Sequence, residues 1–120
     1  MRGIRGAIRV EDNTAEAILR ASRRLLQEMV RANAVEPEEV AAVIFTCTPD
    51  LNATFPAEAA RDMGWNRVPL LCGQEMDVPG AMTRVLRVLM LVNTSLPQEE
   101  IVHVYLGEAE KLRPDLNSAQ

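Results

Sequence analysis

The chain has 120 residues and a mass of 13.3 kDa, and 48% of its residues are apolar, which suffices for one domain with a single core. Seven prolines and six glycines are scattered without a period, which excludes collagen, coiled-coil and disordered classes. Thirteen basic and seventeen acidic residues give a net charge of −4, and a net anion is a poor general binder of nucleic acid or acidic membranes. We therefore expect a single domain over residues 1–120 that binds neither.

Arginine supplies almost all of the positive charge. Lys111 is the only lysine among the thirteen basic residues, so the other twelve are arginines. An arginine keeps its charge in any environment and presents a planar fork that fits a carboxylate. A general arginine bias of the genome is the simpler explanation, so the placement of individual arginines has to decide between the two.

The cysteines and the first residues indicate a cellular compartment. Cys47 and Cys72 lie in or beside apolar runs, and the opening MRGIRGAIRV has arginines where a signal peptide needs a continuous apolar core. No apolar stretch approaches the roughly 18 residues that suggest a membrane span. We expect reduced thiols in a soluble, cytoplasmic protein.

The chain opens with a predicted strand. Residues 2–10 alternate, with Ile4, Ile8 and Val10 on one side and Arg5 and Arg9 on the other. Successive side chains of a strand point to opposite faces, so this strand has an apolar face and an arginine-bearing face.

A long helix is predicted next. Asn13 or Thr14 opens it, and Asn13 with Glu16 three residues later resembles a capping box. Apolar residues then recur at spacings of three and four, namely Ile18, Ala21, Leu25, Leu26, Met29 and Val30. The charged residues between them are assigned to a solvated surface.

The rest of the chain predicts one more helix and four more strands. A short helical turn follows Pro37, and the apolar run at residues 41–48 is typical of a strand covered on both faces. Pro56 lies in the first turn of a second helix that ends near Gly64. The remaining strands are predicted at residues 68–72, 85–93 and 101–106, with a turn-rich loop at 73–81.

The element order β-α-β-α-β-β-β indicates an α+β fold with one five-stranded sheet. Two main helices are too few to cover both faces, so we expect them to pack on one face. The strands are too hydrophobic for a fully wet opposite face, which favours self-association.

Metal, phosphate and nucleophilic sites find little support. His103 is the only histidine, and the two cysteines have neither CxxC spacing nor a histidine nearby in sequence. The six glycines form neither GxGxxG nor GxxxxGK, which argues against dinucleotide and phosphoryl chemistry. We therefore expect no metal and no cofactor.

Arginines within strands are the stronger signal. Arg5 in GIRGAI and Arg87 in VLRVLML are flanked by apolar residues. An outward arginine on a half-exposed strand is the commoner case, whereas an inward one needs an anion, because burying an unpaired charge is costly. Tyr105 adds a hydroxyl donor or is an ordinary interface tyrosine, and Glu75 taken alone is a solvated loop residue. The residues favour an arginine-lined site for a small carboxylate without naming a reaction.

Six segments together resemble the monofunctional chorismate mutases of the trimeric, pseudo-α/β-barrel class. They are, in order, RGIRGA, TPDLNATFPAEAAR, VPLLCGQEMDVPG, RVLRVLMLVNT, HVYL and LRPDL. The resemblance runs from Arg2 to about Leu116, and the shared order and spacing make it specific.

The resemblance implies a fold and an activity. Family members have a mixed five-stranded sheet with helices on one side, and three sheets assemble into a barrel-like trimer with active sites between adjacent subunits. They convert chorismate to prephenate, on the route to phenylalanine and tyrosine, by a Claisen-type rearrangement. This reaction needs no proton transfer and no cofactor, so positioning and preorganised electrostatics are the mechanism.

The resemblance also implies residue roles. Arg87 would lie against the ether oxygen and a carboxylate, Arg5 would pair with a carboxylate, Tyr105 would hydrogen-bond beside them, and Glu75 would accept from the ring hydroxyl. The ring side would be lined by Leu71, Cys72, Gly73 and Gln74, with the Cys72 backbone near the hydroxyl. A neighbouring subunit would supply the mouth of the site through Phe55, Ala57 and Arg61. The C-terminal tail would help to close it through Leu112 and Arg113.

One departure and two alternatives accompany this assignment. Glu58 stands where some relatives are expected to have a lysine, which removes positive steering at the entrance. A non-catalytic oligomeric module that binds aromatic carboxylates would keep the arginines, but it would gain nothing from an anion at Glu75. Imine or enamine deamination occurs on a similar trimeric fold, and no motif here favours it.

Overall fold

The computed structural model describes residues 1–112, which form one five-stranded sheet and two α-helices. In chain order the elements are β1 (Arg2–Arg9), α1 (Ala15–Ala32), β2 (Val40–Cys47), α2 (Ala57–Asp62), β3 (Leu70–Gln74), β4 (Val85–Val92) and β5 (Val104–Leu106). Short 3-10 turns lie at Pro37–Glu39, Gln98–Glu100 and Gly107–Leu112. The predicted order of strands and helices is confirmed.

The sheet is mixed, with the strand order β3-β2-β4-β1-β5. The central strand β4 pairs antiparallel with both β1 and β2. The outer pairs, β1 with β5 and β2 with β3, are parallel. Parallel neighbours need a long crossover, and the segment that contains α2 provides the one between β2 and β3.

Both helices pack on one face of the sheet, the helix face. Its core joins residues of α1 and α2 to alternate strand residues, among them Ile4, Ile8, Phe45, Leu86, Val88 and Met90. The opposite or open face carries Arg5, Ile44, Thr46, Leu71, Arg87, Leu89 and Tyr105, all half-buried or exposed. Within residues 1–112 no element packs over Ile44 and Thr46, so the predicted cover on both faces of β2 would need a partner chain on the open face.

Glycine at position 6 sets the distance between α1 and the sheet. A Cβ there would lie 2.5 Å from Sδ of Met29 and 3.1 Å from Cδ1 of Leu25. A side chain at Gly6 would force α1 to shift or Met29 to change rotamer, so the absence of a side chain there allows the close approach of α1.

The start of α1 differs from the predicted capping box. Thr14 is the N-cap, and its hydroxyl accepts from the backbone N–H of Ala17 at 3.1 Å. Asn13 instead binds the loop after β2, because its Oδ1 accepts from the N–H groups of Asn52 and Ala53, both at 3.0 Å. The side chain predicted to cap the helix thus fixes the loop that leads to α2.

The boundaries of β3 and β5 differ most from prediction. β3 starts later than expected and continues through Gly73 and Gln74, because both residues pair with β2. β5 begins at Val104, since Val102, two residues earlier, exchanges two hydrogen bonds, of 2.8 and 2.9 Å, with the Asn33 side chain. None of the helices in residues 1–112 combines the length and the apolar character needed to cross a bilayer.

Candidate active site

A row of paired residues crosses the open face of the sheet. Thr46 of β2 is opposite Arg87 of β4, Arg87 is opposite Ala7 of β1, and Ala7 is opposite Tyr105 of β5. Cβ atoms of such partners lie roughly 5 Å apart in antiparallel pairs. Ala7, between Arg87 and Tyr105, is only 1% exposed, so its methyl group is shielded from solvent.

A cavity of about 270 Å³ lies on this row, and we call it the arginine cavity. It is lined by Arg5, Gly6, Ile44, Thr46, Arg87, Val88, Leu89 and Tyr105. Three of the four side chains implied as catalytic thus share one cavity, and the fourth, Glu75, contacts Arg87. Two guanidinium groups and a phenol between aliphatic walls suit a small anion.

Glu75 and Thr46 hold Arg87 at the cavity. Nε of Arg87 lies 3.0 Å from Oε2 of Glu75, and the Thr46 hydroxyl donates to the same oxygen at 3.0 Å. The backbone N–H of Glu75 donates to the Cys47 carbonyl at 2.8 Å, which continues the β2–β3 pairing to this residue. Nε of Arg87 is shielded from solvent and makes no aligned hydrogen bond within the described residues. The guanidinium of Arg87 therefore forms an ion pair with Glu75, although its Nε–H has no well-oriented acceptor among the described residues.

His103 contacts the other arginine of the cavity. The backbone N–H of Arg5 donates to Nδ1 of His103 at 2.9 Å. Burial first, and then the nearby charge of Arg5, lowers the pKa of His103 below its usual 6.5. The imidazole is thus neutral at pH 7 and accepts at Nδ1.

A second groove, of about 570 Å³, lies where β2 and β3 end. It is lined by the loop after β2 and by the implied site residues Phe55, Cys72, Gly73 and Gln74. Glu58 also lines it and accepts a hydrogen bond from the Thr54 hydroxyl at 2.7 Å. This groove, which we call the edge groove, shares no lining residue with the arginine cavity. Within one chain the implied site residues therefore form two separate groups.

The other implied site residues lie outside both cavities. Leu71 is 64% exposed on the open face, and Arg61 is exposed on α2. Ala57 is only 4% exposed, because α2 packs this side of the helix into the core. Leu112 is half-buried at the end of the last 3-10 turn, and Arg113 lies outside the described residues.

The cysteines are free thiols with different surroundings. Burial, followed by the proximity of Cys72 and Asp50, raises the pKa of Cys47 to about 11, so it stays protonated at pH 7. Cys72 is half-buried at the edge groove. In residues 1–112, no group of three or more histidine, cysteine, aspartate or glutamate side chains is arranged to hold a metal ion.

Sequence reasoning missed Thr46. The residue lies in an apolar run whose two faces the sequence alone does not distinguish. Its position opposite Arg87 follows from the pairing of β2 with β4, which are far apart in the chain. An alternation of Ile44 and Thr46 against Val43 and Phe45 was the available signal.

Comparisons with known proteins identify the family of this chain. The family model for chorismate mutase type I matches residues 1–116. Two proteins called chorismate mutase AroH are similar over nearly their whole lengths. The one from Thermus thermophilus is 60% identical over 121 residues, covering 100% of this chain and 99% of the relative. The one from Bacillus subtilis (strain 168) is 48% identical over 118 residues, covering 98% of this chain and 93% of the relative.

A solved structure gives the same result. The chorismate mutase from Clostridium thermocellum has a TM-score of 0.91 and 46% sequence identity to this chain, and the match covers 92% of this chain and 99% of the other. Sequence and fold therefore agree over almost the entire length, and the chain belongs to the chorismate mutase type I family.

Proposed function

We propose that this chorismate mutase, an isomerase of aromatic amino-acid biosynthesis, rearranges chorismate to prephenate in the arginine cavity by positioning and electrostatics. The observation that carries the proposal is the convergence of Arg5, Arg87 and Tyr105 on one cavity, with Glu75 3.0 Å from Arg87. Family membership favours the enzyme over the non-catalytic binding module. The carboxylate of Glu75 agrees, since a pure carboxylate binder gains nothing from an anion in its site.

The reaction determines what the residues have to do. A pericyclic rearrangement needs no proton transfer and no covalent intermediate, so the site must hold a dianion in a compact, chair-like geometry. Negative charge builds on the breaking ether oxygen, and Arg87 supplies the cation there. Arg5 binds a substrate carboxylate, with Tyr105 donating beside it. A donor aimed at such an oxygen lowers the barrier by about 3 kcal/mol or more.

Glu75 has two tasks in this proposal. Its Oε2 holds Arg87 and is itself oriented by Thr46. The carboxylate also accepts from the ring hydroxyl of the substrate and faces the electron-poor allylic fragment.

The edge groove completes the site from a neighbouring subunit. The two groups of site residues line separate cavities within one chain, which supports a site that joins the arginine cavity of one chain to the edge groove of another. Cys72, Gly73 and Gln74, with Leu71, line the ring side, and the Cys72 backbone lies near the ring hydroxyl. Phe55, the Ala57 backbone and Arg61 form the mouth, whose steering charge is reduced by Glu58.

A trimer accounts for the open face of the sheet. Leu71, Ile44 and Leu89 pair across three strands, and Leu71 and Leu89 are 64% and 37% exposed. Covering such a row stabilises an assembly by about 25 cal/mol per Å² of apolar surface buried. Three copies related by a three-fold axis form a closed ring in which every cavity meets a neighbour's groove. The three open faces together form the barrel-like core.

The C-terminal tail and the cellular compartment also belong to the proposed function. Leu112 and Arg113 help to close the site, within a single domain that spans residues 1–120. The enzyme works in the cytoplasm, where the free thiols of Cys47 and Cys72 stay reduced.

Subunit complementation tests the shared site. Arg87→Ala inactivates the arginine cavity, and Phe55→Asp places a repelling charge at the edge groove, at a side chain that is 68% exposed. Each variant alone should turn over chorismate slowly, as followed by loss of the diene absorbance. Co-expressed and purified together, random trimers should regain about a quarter of the wild-type sites, because one site in each mixed ring joins two intact halves.

The outcomes separate the alternatives. Activity equal to the mean of the two variants would place the whole site in one subunit and contradict the proposal. Light scattering on the same samples measures the assembly directly, and a monomer or dimer at assay concentration would contradict the ring. Two Arg87→Ala partners with different affinity tags serve as the matched control and should show no recovery.

A further inference from the structure

His103 is the only histidine in the chain, and the rearrangement itself has no use for it. Its imidazole acts as a backbone-like acceptor: the N–H of Arg5 donates to Nδ1 at 2.9 Å. β5 pairs with β1 from the Gly6–Val104 pair onward, so this bond extends the β1–β5 contact by one residue. The extension occurs at the residue whose guanidinium lines the arginine cavity.

The surroundings of His103 contain cations. A cavity of about 490 Å³ shares Arg5 and Leu89 with the arginine cavity and is also lined by Met1, Arg2, Gly3, Gln98, Ile101 and His103. The charged side chains among these residues are the guanidinium groups of Arg2 and Arg5, both positive. β4 and the turn before β5 contribute Leu89, Gln98 and Ile101, which do not titrate. No lining residue supplies a carboxylate to stabilise an imidazolium.

We propose that neutral His103 is a positioning residue that fixes the backbone of Arg5 so that its guanidinium keeps its place in the arginine cavity. The inference rests on the proposed role of Arg5 as the binder of a substrate carboxylate. Nδ1 accepts a hydrogen bond only in the neutral imidazole, because both nitrogens of the imidazolium are donors. Protonation therefore breaks the bond to Arg5 and adds a cation to a positive cavity.

The pH dependence of kcat/KM tests this role of His103. Carboxylic acids titrate near pH 4 and the rearrangement transfers no proton, so the substrate stays a dianion between pH 5 and pH 8. Burial and Arg5 lower the pKa of His103 below 6.5, so the imidazole is neutral at pH 7.5 and gains its proton as the pH falls. We expect kcat/KM to be constant above pH 7 and to decrease over the lower pH range in which the imidazole gains its proton.

Two variants of matched size separate the acceptor from the ring. His103→Asn keeps an uncharged oxygen near the position of Nδ1, so it should retain kcat/KM within about threefold at pH 7.5 and lose the acid decrease. His103→Phe keeps the ring and removes the acceptor, so kcat/KM should fall about tenfold, as expected for one lost hydrogen bond. Circular dichroism and light scattering check folding and assembly. If His103→Phe does not fold, the profile of His103→Asn decides.

A double-mutant cycle with Arg5→Ala tests the route of the effect. If His103 acts through Arg5, His103→Phe should change kcat/KM by less than about twofold in the Arg5→Ala background. The inference is overturned if His103→Asn keeps the acid decrease, if His103→Phe matches the wild type, or if the two changes multiply. A flat wild-type profile over the range in which NMR shows the single imidazole titrating would also overturn it. Unchanged turnover in Arg5→Ala alone would instead contradict the proposed role of Arg5.

Discussion

The two faces of the sheet are built from the same strands, and they differ in what closes them. On the helix face, Ile4, Phe45, Leu86 and Met90 are fully buried by α1, α2 and their neighbours. On the open face, Arg5 and Arg87 stand among aliphatic residues that the described chain leaves partly exposed. An unpaired buried charge is costly, and on the open face Arg87 is paired with Glu75. Strand alternation thus separates the residues of the core from those proposed for the active site.

The largest test of this separation is Arg87→Ala on the open face. Removing the proposed donor at the ether oxygen should lower kcat by about 10²- to 10³-fold. The midpoint of thermal unfolding should change little, because the helix-face core is untouched and the side chain of Arg87 is 40% exposed. Steady-state kinetics with chorismate and circular dichroism melting measure both quantities.

Two further variants make that result specific. Arg87→Lys keeps a positive charge without the planar fork, so it should remain strongly impaired. Arg23→Ala removes an exposed arginine of α1 and should leave kcat at the wild-type value. A variant Arg87→Ala with normal kcat and a raised KM would reduce Arg87 to a binding residue and contradict its place at the reacting oxygen.

The second test is Gly6→Ala on the helix face. The new Cβ would lie 2.5 Å from Sδ of Met29, so the helix has to shift or Met29 has to change rotamer. Overpacking of this kind should lower the free energy of unfolding by about 1–3 kcal/mol, as measured in urea. Met29→Ala in the same chain frees the space and should recover part of the loss. A stable Gly6→Ala protein without the second change would mean that α1 does not need this close approach.

The order of the elements was accessible from sequence because it depends on local patterns. Alternation identified β1, and spacings of three and four identified α1. The same alternation placed Arg5 and Arg9 on the face opposite Ile4 and Ile8, and the burial pattern of β1 agrees with that placement. These features involve residues within one turn or one pleat of each other.

Pairing between strands that are distant in the chain could not be predicted from these local patterns. The position of β4 between β1 and β2 places Thr46 opposite Arg87, and no local signal carries it. The extension of β3 through Gly73 and Gln74 has the same origin, since pairing with β2 overrides the turn preference of glycine. The separation of the site residues into the arginine cavity and the edge groove follows from the sheet order together with the loop after β2.

The smallest expected effect concerns the start of α1, where Asn13 and Thr14 were both candidate caps. Thr14→Ala removes the hydroxyl that accepts from the N–H of Ala17, so it should lower the free energy of unfolding by about 1 kcal/mol, and Thr14→Ser should restore it. Asn13→Ala instead removes the acceptor for the N–H groups of Asn52 and Ala53, which belong to the loop that forms the edge groove.

The two neighbouring substitutions should therefore differ in their effects: Thr14→Ala should affect stability, and Asn13→Ala should affect substrate binding. Thr14→Ala should leave kcat/KM unchanged because the helix start contacts neither cavity. Asn13→Ala should raise KM, because a loosened loop no longer presents Phe55 at the mouth. Urea unfolding and steady-state kinetics on both variants provide the comparison. Equal losses of stability with no change in KM would mean that Asn13 supports the helix after all, and that the loop after β2 holds its shape without it.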